Sequence, residues 1–274
     1  MAVRQQGHRG AAFAALAVAG VVAGGGCSAP GGAAADDRPA GDPGVVRRAA
    51  DVLRDAGGAR ARTSMQMAAG GTRVTIRGEG EYDFGRAMGR LQVLLPKDPA
   101  GADEHRPITE LLSPGVLYMK NRGAGVPADK WVRVDATTLE DGNLVTNGVT
   151  DPLTAAELLR AARDVVLVGE RELAGVRVFH YRGVTELGRA AKTASAEVRG
   201  ALGAAVKGFG ADVVPFDAYL DEDGRLRKVS HRFSYRNQGG LVEVASTTLL
   251  SGFGARVTVT LPPEDSIFTG EIKP

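Results

Sequence analysis

The sequence predicts an α+β domain built on one strongly curved antiparallel sheet, a half-barrel of about 10–11 strands with helices covering its concave face. Three observations carry this. Most of the chain beyond residue 60 alternates apolar and polar residues with a period of two. Short turns rich in Gly and Asp join these runs, as in consecutive hairpins. Helical periodicity is confined to the start, the middle and a point about two thirds along, so helices do not alternate with strands as in a βαβ sheet. A sheet of that length with alternating faces curls rather than staying flat.

Residues 44–56 (GVVRRAADVLRDA) place Val45, Ala49, Val52, Leu53 and Ala56 at helical spacing and predict a first amphipathic helix. The runs TSMQMAA, TRVTIRGEGEYDF and AMGRLQVLL then predict three strands with turns at Gly70-Gly71 and Gly85. ITELLSP, GVLYMKN and DKWVRVD, separated by Pro and Gly, predict three shorter ones. Asp151 before Pro152 and LTAAELLRAAR marks a helix start, with Asp as cap and Pro in the first turn. DVVLVGERELAG and VRVFHYRGVTEL form a hairpin around Ala174-Gly175. A second long helix is expected over 188–207, with Ala190, Ala194, Val198, Leu202 and Val206 recurring every four residues. FDAYLDEDGRLRKVSHRFSY turns at Asp223-Gly224, and GLVEVASTTLLSGFG and ARVTVTLPPED are read as further strands.

The first 43 residues do not fit this domain. Arg4 and Arg9 precede an apolar segment, Ala11 to Ala23, and Gly24-Gly25-Gly26 lead to Cys27, the only cysteine. A helix over that segment would rise about 20 Å, short of the roughly 30 Å hydrocarbon core of a bilayer. Residues 1–26 are therefore expected to be a secretory signal rather than a membrane span. GGGC resembles a bacterial lipobox, whose cysteine is acylated and becomes the mature N-terminus. Gly24 stands where that pattern prefers Leu, Val or Ile, and cleavage after Ala33-Ala34-Ala35, giving a secreted protein, is the other route. Acyl chains on Cys27 would provide the multiple anchors that stable attachment requires. Residues 27–43, rich in Gly, Ala, Pro and Asp, read as a flexible tether to a domain over 44–274.

Charge narrows the function. The 274-residue chain carries a formal +2, and removing residues 1–26 with their two arginines leaves zero. No basic stripe interleaved with aromatics is present, so no nucleic acid partner is expected. A lone cysteine makes neither a disulfide nor a zinc site. Of the four histidines, His8, His105, His180 and His231, none has a partner at ligand spacing, and no metal or cofactor is expected. No nucleophile elbow, phosphate loop or metalloprotease motif occurs, so no catalytic residue is assigned. The acidic turn Asp221-Glu222-Asp223-Gly224 lacks the distal ligands of a calcium loop and reads as a hairpin turn.

GVLYMKN with DKWVRVD, VVLVGERELAGVRVFHYRG, FDAYLDEDGRLRKVSHRF and the closing SGFGARVTVTLPPED, in this order behind GGGC, resemble the LolA-like superfamily, specifically the actinobacterial LppX/LprAFG-type lipoproteins. The resemblance implies a curved antiparallel sheet around helices with an apolar cavity between them, and a role in binding or carrying lipid or acylated glycolipid across the cell envelope. It transfers no catalytic residue.

On that basis the expected protein is a monomeric lipoprotein on the outer face of the cytoplasmic membrane. The candidate cavity lining comprises the adaptable Met65, Met67, Met88 and Met119 and the small-residue stripe Ala194, Val198, Leu202 and Val206. Plain core packing accounts for the same residues. The competing function is a non-catalytic regulatory or sensor module that binds a membrane-protein partner.

Overall fold

Alternation translates directly into strand pairing: eleven strands form one antiparallel sheet. The structure is a computed structural model and describes residues 42–96, 106–146, 148–209, 212–237 and 240–270. The signal segment, Cys27 and the tether up to residue 41 lie outside the described residues, as do His8 and His105. In chain order the strands are β1 (Gly58–Ala69), β2 (Thr72–Asp83), β3 (Met88–Leu94), β4 (Ile108–Ser113), β5 (Val116–Lys120), β6 (Trp131–Asp135), β7 (Ala162–Leu173), β8 (Val176–Glu186), β9 (Val213–Leu220), β10 (Leu226–Asn237) and β11 (Gly240–Ala255).

The spatial order is β6-β5-β4-β3-β2-β1-β11-β10-β9-β8-β7. Two meanders, β1 to β6 and β7 to β11, are thus joined where the first strand pairs with the last. The sheet is open and curved, with β6 and β7 as its edges. Register makes the two faces chemically distinct, because successive side chains point to opposite sides. One cross-strand row on the inner face runs Ala61, Gly80, Leu91, Glu110, Met119, Val132. Another runs Ile76, Met65, Ser246, His231, Phe216. The alternate residues Arg60, Arg62, Gln66, Arg77, Glu79 and Arg90 point outward and are exposed.

The helices cover the inner face. They are α1 (Pro43–Arg47), α2 (Ala49–Ala56), α3 (Pro152–Glu157), α4 (Leu187–Thr193) and α5 (Ala196–Gly208). Asp42 caps α1, its carboxylate accepting from the Gly44 N–H at 2.8 Å, so the last residues assigned to the tether already belong to the domain. Asp151 caps α3 as expected, accepting from Thr154 N–H at 2.7 Å. Val46, Ala49, Ala50 and Leu53 of the first two helices join the core with Leu153, Ala156, Leu158 and Leu159.

Three expectations need correction. The helix expected over 44–56 is broken at Arg48 into α1 and α2. The helix expected over 188–207 is broken at Ala194 and Ser195, both extended. There Ser195 gives its N–H to the Glu157 carboxylate at 3.2 Å, a tertiary bond that replaces an intrahelical one. Finally, residues 256–263 form no strand despite their alternation. Pairing with β10 stops at Leu249 and pairing with β1 stops at Ala255 opposite Gly58, so the continuation overruns both of its partners. It ends beside β6, where Ile267 bridges Trp131 and Phe268 N–H donates to the Trp131 carbonyl at 2.8 Å.

Candidate functional site

The inner face is apolar almost throughout, and its exceptions locate the site. Glu110 on β4 lies between Leu91 and Met119, is 0 % exposed, and neither carboxyl oxygen has a hydrogen-bond partner. Burial pushes this carboxyl up to about 8, with Arg122 pulling more weakly the other way. On β10, His231 sits among Phe216, Phe233 and Ser246, and its Nε2 is buried without a partner. Burial pushes that imidazole down to about 3. Both groups are therefore neutral near pH 7.

Other buried polar groups on this face are satisfied. Thr150 Oγ1 donates to the Leu144 carbonyl at 2.8 Å and meets Ser246 Oγ at 2.7 Å. The Tyr82 hydroxyl is hydrogen-bonded to Asp151, and burial pushes both groups up from their ordinary values.

The sequence-derived lining residues divide. Met65 and Met119 are buried on the inner face, and Met67 lies partly buried at the end of the same face. Met88 shares the parity of Arg90 and Gln92, placing it on the opposite face, away from the interior. Ala194, Val198 and Leu202 are buried, whereas Val206 is 37 % exposed. A four-residue repeat drifts around an α-helix of 3.6 residues per turn, so Ala205 takes the inward position instead.

The space beside the small residues of α5 is also occupied. The segment before α3 packs its backbone there: a Cβ at Gly142 would strike the Ala201 carbonyl, and one at Gly208 would strike that of Glu140. Gly148 and Val149 of the same segment lie against Ile76 and Gly78 of β2. About 40 Å³ remains between Leu112 and Leu117 on the sheet and Val198 and Ala201 on α5, room for little more than ordered water.

A larger cleft of about 470 Å³ opens at the end of the sheet nearest the Gly70-Gly71 turn. Met67, Val244 and Phe233, one row of the inner face, contribute to it, but most of its lining, including Gln66, Arg73, Val213, Arg232 and Glu243, comes from outer-face rows. Val213 and Leu241 at this end are 41 % and 50 % exposed.

A further polar cluster lies on the outer face. His180 Nε2 is 2.7 Å from Asp217 Oδ1, the Tyr219 ring stacks on the imidazole at 4.3 Å, and Arg182 and Arg232 each donate to Asp217 at 3.1 Å. Burial pushes the Asp217 carboxyl up, but bonds from His180 and Arg182 outweigh it and hold the group below the usual carboxylate range. Among the described residues, no group of three or more His, Cys, Asp or Glu side chains could hold a metal ion, and no helix is long and apolar enough to cross a membrane.

Sequence reasoning missed Glu110, although ITELLS gave the signal: Ile108, Glu110 and Leu112 share one parity, which puts an acid in an apolar register. It also missed the His180–Asp217 pair, whose members lie 37 residues apart and meet only through strand register.

An open, curved antiparallel sheet with helices over one face is the α+β fold class expected from the sequence. Among solved structures, the chain is similar to the lipoprotein LppX of Mycobacterium tuberculosis, at 8 % identity and a TM-score of 0.46 over 80 % of this chain and 100 % of that one. It is also similar to LprF of Mycobacterium bovis, at 12 % identity and a TM-score of 0.40 over 80 % and 96 % of the two chains. A LolA superfamily protein of Nitrosomonas europaea shows 12 % identity and a TM-score of 0.36 over 83 % and 96 %. No family model and no curated protein sequence matches the chain.

Proposed function

We propose that this protein is an exported lipoprotein, anchored through acylated Cys27 to the outer face of the cytoplasmic membrane, that binds or carries a lipid or acylated glycolipid in its half-barrel. The observation that carries the reading is the way the apolar inner face ends. The row Met67, Val244 and Phe233 runs out at the end of the sheet where the 470 Å³ cleft opens: Met67 is half-buried there, and Val244 and Phe233 lie buried beneath it, Phe233 against the Phe209 ring. An apolar row that reaches solvent in this way offers entry to a chain that water excludes, at about 0.8 kcal/mol per buried CH₂.

Met65, Met67, Met119, Val198 and Leu202 are the lining residues in this reading, and Met side chains repack around irregular occupants. Since the interior is already packed, uptake requires the segment before α3, or α5, to yield volume. The sequence supplies the tether and the anchor: an apolar signal segment, GGGC, and a linker poor in apolar residues.

The test is native mass spectrometry with organic extraction on the chain released from the membranes of its expression host. Co-purifying lipid that is lost on denaturation supports the carrier reading and gives the ligand class. A clean mass that does not change on addition of lipid refutes it and favours a partner-binding module.

A further inference from the structure

The unpartnered carboxyl of Glu110 has no structural task in the described fold. It caps no helix, joins no ion pair and accepts no hydrogen bond, yet it is buried on the inner face between Leu91 and Met119. A carboxyl there loses its water and gains nothing in return, whereas Gln or Leu would fill a similar volume.

Its position is informative. Leu112 and Leu117, which border the space under α5, lie two residues along the same strands from Glu110 and Met119, and so on the same face roughly 7 Å away. Ile108 and Val132 complete an apolar surround. Tyr82 and Ser113, the polar sheet residues that border this space, already have partners in Asp151 and the Val116 carbonyl, so an occupant that widened it toward Met119 would meet Glu110 as the first sheet group with unpaired polar atoms.

We propose that Glu110 is the polar anchor of the interior, hydrogen-bonding an uncharged hydroxyl or ester group carried on an otherwise apolar ligand. The inference rests on the ligand-binding reading above and deepens it by naming what the ligand must contain. A protonated carboxyl can donate to an ester carbonyl and accept from a hydroxyl, so one residue serves both. Anionic groups are disfavoured beside a carboxyl in an apolar site. A cationic group would need both charges stripped of water with no further donors to support them.

The test uses the full chain carrying Cys27→Ala, so that no acyl anchor competes, with Glu110→Gln and Glu110→Leu in the same background. Each is offered hexadecane, hexadecanol, methyl palmitate and hexadecylamine from a cyclodextrin carrier, and retention is quantified by extraction; thermal melts confirm folding. The expected result is that the parent prefers hexadecanol and methyl palmitate over hexadecane by about tenfold, the size of one well-made hydrogen bond. Glu110→Gln keeps this preference. Glu110→Leu loses it while still retaining hexadecane.

Equal retention of all three uncharged probes by the parent, or an undiminished preference in Glu110→Leu, overturns the anchor while leaving the ligand-binding reading intact. Strongest retention of hexadecylamine, abolished in Glu110→Gln, overturns it by assigning a cation site. Retention of none of the probes refutes the ligand-binding reading itself.

Discussion

The two orphan groups of the inner face make opposite demands on pH, and together they predict the shape of the stability profile. Glu110 has a folded pKa raised from 4.5 to about 8. Between those values the unfolded chain has released a proton that the folded chain still holds, so stability falls as pH rises, by about 1.4 kcal/mol per unit. His231 has a folded pKa lowered from 6.5 to about 3. Across that range the unfolded chain holds a proton that the folded chain does not, so stability rises with pH at a similar slope. From 4.5 to 6.5 the two nearly cancel. From 6.5 to 8 the His231 contribution is complete, and Glu110's own contribution should fall by about 1 kcal/mol between pH 6.5 and 7.5. Asp151, also raised by burial, adds a fall of the same sign that the parent and a Glu110 variant share.

The carboxylates held below their usual range, Asp51, Asp217 and Asp221 among them, lose their contribution only as pH falls further and leave this window clear. Glu110→Gln is the perturbation. It removes an ionisation penalty of about 4 kcal/mol at pH 7.5 and leaves an unpaired amide costing about 1–3 kcal/mol. A net gain of about 1–3 kcal/mol is expected there, shrinking to nothing or reversing at pH 5. Urea unfolding followed by fluorescence of the single tryptophan, Trp131, at half-unit steps from pH 5 to 8.5 measures it. An equal fall above pH 6.5 in both proteins, or a Glu110→Gln chain less stable than the parent at pH 8, refutes the reasoning.

Other perturbations probe the rest of the molecule. Glu157 is fully buried, pairs with Arg160 and Arg54 and accepts from Ser195 N–H, so Glu157→Ala should cost about 3–5 kcal/mol by urea titration, because two arginines are left without their shared anion. Gly142 has φ +56° and faces the Ala201 carbonyl, so Gly142→Ala should cost more than about 2 kcal/mol and speed hydrogen exchange in the segment before α3 and in α5. Asp217→Asn should cost about 1–2 kcal/mol, chiefly through His180, since Arg182 and Arg232 are each 58 % exposed and their pairs are screened. Cys27→Ala should move the chain from the membrane fraction to the soluble one and remove any acyl mass, and an unchanged distribution would argue against the anchor.

The sheet was legible because its faces differ. Where one side of a strand meets water and the other meets helices, alternation reports both the strand and its register, as in MGRLQVL, with Gly89, Leu91 and Val93 inward. The same signal misled at ARVTVT. Alternation there records one buried residue, Val257, beyond the paired ends of β1 and β10, and a period of two says nothing about whether a partner strand extends that far. The break at Ser195 was not legible, since it goes with a contact to Glu157 far along the chain. Nor could the stripe on α5 show that Glu140 and Gly142, rather than a ligand, would occupy the space beside it. Small residues announce close approach, not the identity of what approaches.

The distribution of unsatisfied groups separates this interior from an ordinary core. On the outer face, Asp217 and Asp221 are each surrounded by donors, and Asp221 accepts from Asp223 N–H, Arg225 N–H and two guanidiniums. Under the helices, Glu157 is likewise engaged by Arg160 and Ser195. The fold thus satisfies acids where they tie its elements together. Glu110 and His231 differ in lying on inner-face rows at opposite sides of β1, each with buried polar atoms unpaired. Neutral in the dry state, they give the apolar face two points at which a polar group arriving with a ligand gains a hydrogen bond that no side chain of the described residues supplies. That asymmetry, partnered polar groups elsewhere on the face and unpaired atoms at these two positions, is the feature on which the proposed amphipathic ligand would draw.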